Sequence, residues 1–344
     1  MQEIHSTFFH SLIQIAGLML GFAAMLFFFS FLSSLMNRSS RLKSQNSMAI
    51  LPDAEGNKQF LPKSAPIILQ LNLKGVIGKE SLTAEEIETQ LIESKQGNLK
   101  ERKIRGIFLN IDSPGGSAID SDTIYRRIKA YKEKYSIPVY AYVDGTCASG
   151  GIFAACAADK IYATPSSIIG SVGVMWMLPF FNVHKVLEKW EIGVKTFSQG
   201  KHKDHLNPFR PWHKGEDADL KNLLSHAYHR FVSIVSKERP KLTEEKLIHE
   251  IGAQIYSAPD AADLGFIDEG QSDFSIALSA LVAASGISKD EPYQVITLKK
   301  KKPWFKELMT RSPLLTGKIE HELRIGAQPI PSPKSELAYI FYLQ

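Results

Sequence analysis

Cysteine is scarce: the 344 residues hold two, Cys147 and Cys156. Both fall in one turn-and-helix segment, which excludes a disulfide framework and marks them as small buried side chains. No cysteine–histidine spacing of the zinc type occurs, and no glycine loop of the phosphate-cradling type. No metal and no cofactor is therefore expected. No internal repeat is evident, which excludes a solenoid. Net charge is only +5, and part of it sits in one run, "KKKKPWFK", Lys299–Lys306. That run reads as a solvated surface or as a contact for anionic lipid headgroups; nothing else supports nucleic acid as a partner. Lysine and arginine are absent before Arg38. A cleaved signal peptide wants a basic start and a short apolar run with a small-residue exit, and neither is found.

What is present begins with "IAGLMLGFAAMLFFFSFL", Ile15–Leu32, which carries no charge. As a helix it rises about 27 Å, close to the hydrocarbon core of a bilayer. Residues 1–36 are expected to be a retained, single-pass anchor in a lipid bilayer. Arg38, Arg41 and Lys43 follow it, and the positive-inside rule would place the remainder in the cytoplasm. Residues 37–64 are polar, interrupted by Pro52, Gly56 and Pro62, and read as a linker.

From Pro66 strand-like and helix-like runs alternate. "PIILQLNL", "GIFLNI" and "PVYAYV" read as buried strands over 66–73, 106–111 and 138–143. A capping box, Thr83 with Glu86, starts a helix at Thr83, and a second helix covers Ser121–Lys132. Such alternation predicts a parallel sheet covered by helices. Ile192–Ser198 is expected to be a later strand. Leu220, Leu223, Leu224, Ala227, Phe231, Ile234 and Val235 form one apolar helix face, most simply core. Past Asp268 the signal weakens. "PWFKELMTRSPLL" has amphipathic spacing, and the apolar end "LAYIFYLQ" follows a Pro-rich leash on which it could lie in an active-site groove.

Two glycine-rich segments follow predicted strands: "NIDSPGGS", Asn110–Ser117, and "DGTCASGG", Asp144–Gly151. In an open parallel sheet both belong to the functional, carboxyl-terminal edge. Glycines there expose backbone N–H groups with no Cβ in the way. The N–H of Gly150, at a helix start, would face those of Gly115 or Gly116, with the Ser149 hydroxyl beside them. That is the layout of an oxyanion hole; the plain alternative is a tight turn needing small residues. A serine nucleophile needs a base. His184, His202, His205, His213, His226 and His229 all lie downstream, and His202 and His205 stay open as candidates. Lys201 and Lys203, beyond Gly200, are the lysine alternatives. A lysine base must be neutral, and at an ordinary pKa only about one lysine in 2,500 is neutral at pH 7.

"DSPGG", "ASGGIFAACAADKIYATPSSIIGSVGV", "GKHKD" and "YSAPDAADLGFIDE", in this order, resemble the signal peptide peptidase A family, also called protease IV, in its short SohB-type form. The resemblance covers about Pro66–Glu269. It implies a Clp peptidase/crotonase-like spiral of ββα units, with the peptidase domain at 65–285 and a C-terminal extension at 286–344. It implies a Ser–Lys dyad, with Ser149 as nucleophile and Lys203 as base. Ser171 falls where the family orients the lysine amine, and Gly115 or Gly116 with Gly150 falls where it binds the oxyanion. Val172, Val174 and Met175 are candidate substrate contacts, with core packing as the alternative reading. The resemblance further implies peptide substrates such as remnant signal peptides, a homo-oligomer shaped as a ring or dome, and a bacterial inner-membrane location with the catalytic body outside the cytoplasm. Rival readings are a Clp-type Ser-His-Asp triad, which would want a histidine where Val174 stands, and a non-catalytic scaffold or thioester-binding relative of the same fold.

Overall fold

The computed structural model describes residues 46–79, 82–96 and 99–300, together with isolated positions between 17 and 30. Most of Ile15–Leu32 therefore lies outside the described residues. Those described within it are helical, and Met19, Phe22, Met25, Phe27 and Phe28 among them are exposed. Among the described residues no helix is long and apolar enough to cross a membrane. The amphipathic and C-terminal expectations beyond Lys300 also lie outside.

Among the described residues eight strands form one sheet. They are β1 (Asn46–Leu51), β2 (Ile67–Lys74), β3 (Ile104–Ser113), β4 (Val139–Ala148), β5 (Lys160–Ala163), β6 (Ile168–Gly170), β7 (Ile255–Ser257) and β8 (Gln294–Lys300). Their order is β1-β8-β2-β3-β4-β6-β7, with β5 also on β4. The run from β8 through β6 is parallel, and the outer pairs β1–β8 and β6–β7 are antiparallel. Asn46–Leu51 and Gln294–Lys300 thus belong to the sheet, where linker and extension were expected. Isolated three- to four-residue apolar stretches at the chain's periphery carry too little pattern to read as strands, and only pairing with each other (Ile50 to Ile296, for instance) reveals them.

Seven helices of six residues or more are described from Ala84 onward: α1 (Ala84–Glu93), α2 (Ala118–Tyr135), α3 (Gly150–Ala155), α4 (His184–Lys189), α5 (Ala218–Glu238), α6 (Ala258–Leu264) and α7 (Phe274–Ala284). The capping box works as expected, since Thr83 Oγ1 accepts the Glu86 N–H at 3.2 Å. Ser117, Ser257 and Asp273 cap α2, α6 and α7 in the same way.

Strand periodicity divides the core. Leu69, Leu71, Leu109 and Ile111 face one side with Ile124, Ile128, Ile152 and Phe231. Ile68, Phe108 and Tyr142 face the other, against Leu278 and Leu281 of α7. Both faces of the central strands are covered, as a parallel sheet requires.

Two expectations change. Ile192–Ser198 is not a strand: among the described residues none pairs with it, and Phe197 is 84% exposed. The apolar face of α5 is core only in its second half. Phe231, Ile234 and Val235 are buried, whereas Leu223 is 58% exposed.

Candidate active site

The site grows from a bulge. β3 and β4 pair in register from Ile107–Val139 to Ile111–Val143, then resume at Ser113–Cys147. There β4 spends three residues, Asp144–Thr146, against the single Asp112 of β3, whose Oδ1 accepts the Thr146 N–H at 3.0 Å. Gly145 is needed there, because a Cβ would stand 2.3 Å from that oxygen. β4 therefore runs through the segment expected to be a turn and delivers its last residue, Ala148, beside the end of β3.

Ser149 follows at once, at φ 51° and ψ −120°. A residue with a Cβ is strained in that region, and such strain persists only where the surroundings over-determine it. Here the Ser149 N–H donates to Gly170 O at 2.9 Å, and its carbonyl accepts the Phe153 N–H of α3 at 3.1 Å. The Ser149 hydroxyl makes no hydrogen bond among the described residues and is half-buried.

The Pro114-Gly115-Gly116 turn lies against it. A Cβ on Gly115 would be 2.7 Å from Gly150 N and 2.8 Å from Ser149 Cβ. A Cβ on Gly116 would be 2.1 Å from Ile77 O, so alanine does not fit. Gly115 spends its N–H on Ser113 Oγ, at 3.2 Å. The N–H groups of Gly116 and Gly150 have no acceptor among the described residues. For Gly150 this follows from its place as the first residue of α3. Of the three candidate oxyanion donors, these two remain free. A Cβ on Gly150 would come 3.3 Å from Gly116 N, so the two donors are neighbours.

Ser171 is brought alongside by the sheet. Ala148 pairs with Gly170, so the residues after them, Ser149 and Ser171, leave adjacent strand ends. Ser171 also has positive φ, 57°, and its N–H donates to Gln254 O at 2.7 Å. Of the candidate substrate contacts, Val172 is wholly buried in the core, Val174 packs against it half-buried, and Met175 is 78% exposed. Val172 is thus a core side chain with no surface to offer a ligand. From Val174 to Phe181 no backbone N–H or carbonyl is hydrogen-bonded among the described residues.

Lys203 sits elsewhere, in an exposed turn from Gly200 to Leu206. Its own N–H donates to Gly200 O at 3.2 Å; its ammonium makes no hydrogen bond or ion pair among the described residues. Among the described residues no hydrogen bond or ion pair joins it to Ser149 or Ser171, and none joins a histidine to Ser149. The turn is held from its far side by a clasp that the sequence did not reveal. Arg210 Nε donates to Asp204 at 2.6 Å and its Nη1 to Glu216 at 2.6 Å. Glu216 also accepts the N–H groups of Leu206 and His213, both at 2.9 Å. The Arg210 guanidinium holds the Glu216 carboxyl down to about 2 and lowers that of Asp204. Three charges spaced six residues apart match neither helix nor strand periodicity, so they gave no signal. Burial pushes the Cys147 thiol up, and that of Cys156 to about 11, so neither is a thiolate nucleophile.

The description "Peptidase family S49" matches residues 131–283, and "Clp protease" matches residues 56–170. Both spans include Ser149. A protease-named protein of Methanocaldococcus jannaschii is 34% identical over 49% of this chain and 53% of its own. "Putative signal peptide peptidase SppA" of Enterococcus faecium is 30% identical over 59% of each chain. "Probable protease SohB" of Buchnera aphidicola is 28% identical over 61% of this chain and 67% of its own. The chain thus spans little more than half the length of the first two relatives. The mixed sheet and the Clp protease match identify a Clp peptidase/crotonase-like α/β fold.

Proposed function

We propose, from the match of residues 131–283 to peptidase family S49, that the chain is a membrane-anchored serine endopeptidase cutting extended apolar peptides. The observation that carries this reading is Ser149: a strained residue with an unbonded hydroxyl, beside the unused N–H groups of Gly116 and Gly150. In this reading the Ser149 Oγ attacks the scissile carbonyl while a neutral Lys203 amine takes its proton. The carbonyl oxygen, now anionic, accepts from Gly116 and Gly150. Lys203 returns the proton to the leaving amine, and the C–N bond breaks. Water then repeats the relay and releases the acyl group from Ser149. Ser171 Oγ directs the lysine amine without adding charge.

Lys203 makes no hydrogen bond to Ser149 among the described residues, and in this reading the dyad forms when the exposed arm closes or packs on another copy. The arm is suited to that. Trp176, Leu178, Phe181, Trp190 and Phe197 of one segment are all exposed, more large apolar side chains than a lone soluble chain commonly presents. Homo-oligomerisation, in a ring or dome, is the assembly this surface favours. The unbonded backbone from Val174 to Phe181 would accept a peptide by strand addition. Remnant signal peptides fit as substrates. The anchor at residues 1–36 would hold the peptidase at a bacterial inner membrane with its catalytic body outside the cytoplasm. The same free Lys203 favours one rival, an oxyanion-binding relative that lacks a working base.

The test is digestion of a synthetic signal peptide by the full chain in detergent, with Ser149→Ala as control. The reading requires cleavage that the variant loses and a peptide-aldehyde adduct that wild type alone forms. Equal cleavage by both removes the nucleophile, and no cleavage with bound acyl thioester installs the rival. Protease accessibility in sealed vesicles decides the side of the membrane.

A further inference from the structure

We propose that His202, His205 and Asp219 form a binding site for a divalent transition-metal ion of the zinc class. His202 and His205 belong to the Gly200–Leu206 turn, and Asp219 to the first turn of α5. One ligand atom of each lies within 4.8 Å of the others. His202 Nδ1 and His205 Nε2 are 2.8 Å apart, with the rings edge to face at 4.3 Å. Bonds of about 2.0–2.1 Å in a tetrahedron set donor atoms about 3.3 Å apart, so a small ring rotation admits an ion.

The donor set selects the class. Two imidazoles and one carboxylate suit zinc and its neighbours, whereas calcium and magnesium want oxygen alone. Three protein ligands leave a position for water. The local charges also favour a cation. At 2.8 Å one of the two facing nitrogens accepts from the other and so presents its lone pair toward the cluster. The Asp219 carboxylate makes no hydrogen bond or ion pair among the described residues. Its acidic neighbours are already matched, Asp217 with Lys221 at 2.6 Å and Asp204 with Arg210. Sequence spacing gave no hint, because the third ligand comes from another element.

A bound ion would tie the turn to α5 on both sides of Lys203, next to the Arg210 clasp. This coupling to catalysis rests on Lys203 being the base; the metal site does not.

The experiment is calorimetric titration of zinc chloride into the full chain in detergent, near neutral pH, beside magnesium chloride. One saturable zinc ion per chain and no magnesium binding are expected. His202→Ala, His205→Ala and Asp219→Asn should each weaken zinc binding by at least about tenfold. His226→Ala, an exposed histidine elsewhere on α5, should bind as wild type does. Thermal melting of each variant separates a lost site from a lost fold. Absence of saturable binding, or wild-type binding by His202→Ala and His205→Ala, overturns the site. Cobalt(II) gives a second reading, since its visible spectrum reports nitrogen and oxygen ligation directly. Zinc should also change the peptide-cleavage rate of wild type but not of His205→Ala. A wild type that binds zinc and cleaves at an unchanged rate rejects the coupling alone.

Discussion

The layer from β2 to Gly170 and the arm from Val174 to Leu224 are built by opposite rules. In the first, nearly every apolar side chain is buried and the Ser149 turn is locked from several sides. In the second, the larger apolar side chains face solvent and order comes from a clasp of charges, Asp204, Arg210 and Glu216. One region can hold a strained nucleophile because it is rigid within a single chain. The other carries Lys203, the proposed base, in an exposed turn. The proposed nucleophile and the proposed base thus sit in regions held by different physics, and perturbations should separate them.

The largest effect is expected at the locked turn. Ser149→Ala should lower peptide cleavage by about a million-fold while leaving thermal unfolding nearly unchanged, as loss of a nucleophile does elsewhere. A large drop in melting temperature would mean instead that the hydroxyl supports the turn.

Next comes a matched pair of truncations, one in each region. Leu109 is fully buried, and Leu109→Ala should cost about 2–5 kcal/mol in denaturant unfolding. Leu223 is largely exposed in one chain, and Leu223→Ala should cost less than about 0.5 kcal/mol at dilute protein. It should nevertheless shift sedimentation toward smaller species if the arm joins copies. Equal costs for the two truncations would erase the distinction between the regions.

A smaller, pH-dependent effect follows from the clasp. The Glu216 carboxyl titrates lower in the folded chain, near 2, than its ordinary value of 4.5. The stability it contributes is complete above the unfolded value and is lost as pH falls through the folded one. Protection of the Leu206 amide, which donates to Glu216, relative to the unstructured exchange rate should therefore fall from about pH 4 downward. Arg210→Ala should produce the same loss of protection already at pH 7. Unchanged exchange in that variant would show that the turn is held by other contacts.

The two regions were also unequally legible. β2, β3 and β4 were read from apolar runs because burial on both faces writes itself into consecutive residues. Thr83–Glu86 marked a helix start because capping is local. Ser149, with Gly115, Gly116 and Gly150, was singled out because a close backbone approach demands glycine, and the structure leaves the N–H groups of Gly116 and Gly150 without acceptors among the described residues. In the arm the same logic failed. Ile192–Ser198 has the pattern of a strand but no strand to pair with, and Leu223 has the pattern of core but no core above it. Sequence records that a surface is apolar and not which chain covers it. Arg210, Glu216 and Asp219 went unseen because tertiary ion pairs and ligand sets have no period. Val172 was misplaced for the simplest reason, that core and pocket select the same valine.

The most direct test of the central claim, that Ser149 works with Lys203, compares Lys203→Ala with Lys201→Ala in one signal-peptide cleavage assay. Both lysines are exposed and lie on one turn, so loss of surface charge affects them equally. The account predicts no measurable cleavage by Lys203→Ala and most of the wild-type rate for Lys201→Ala. An active Lys203→Ala, or a silent Lys201→Ala beside it, would contradict it.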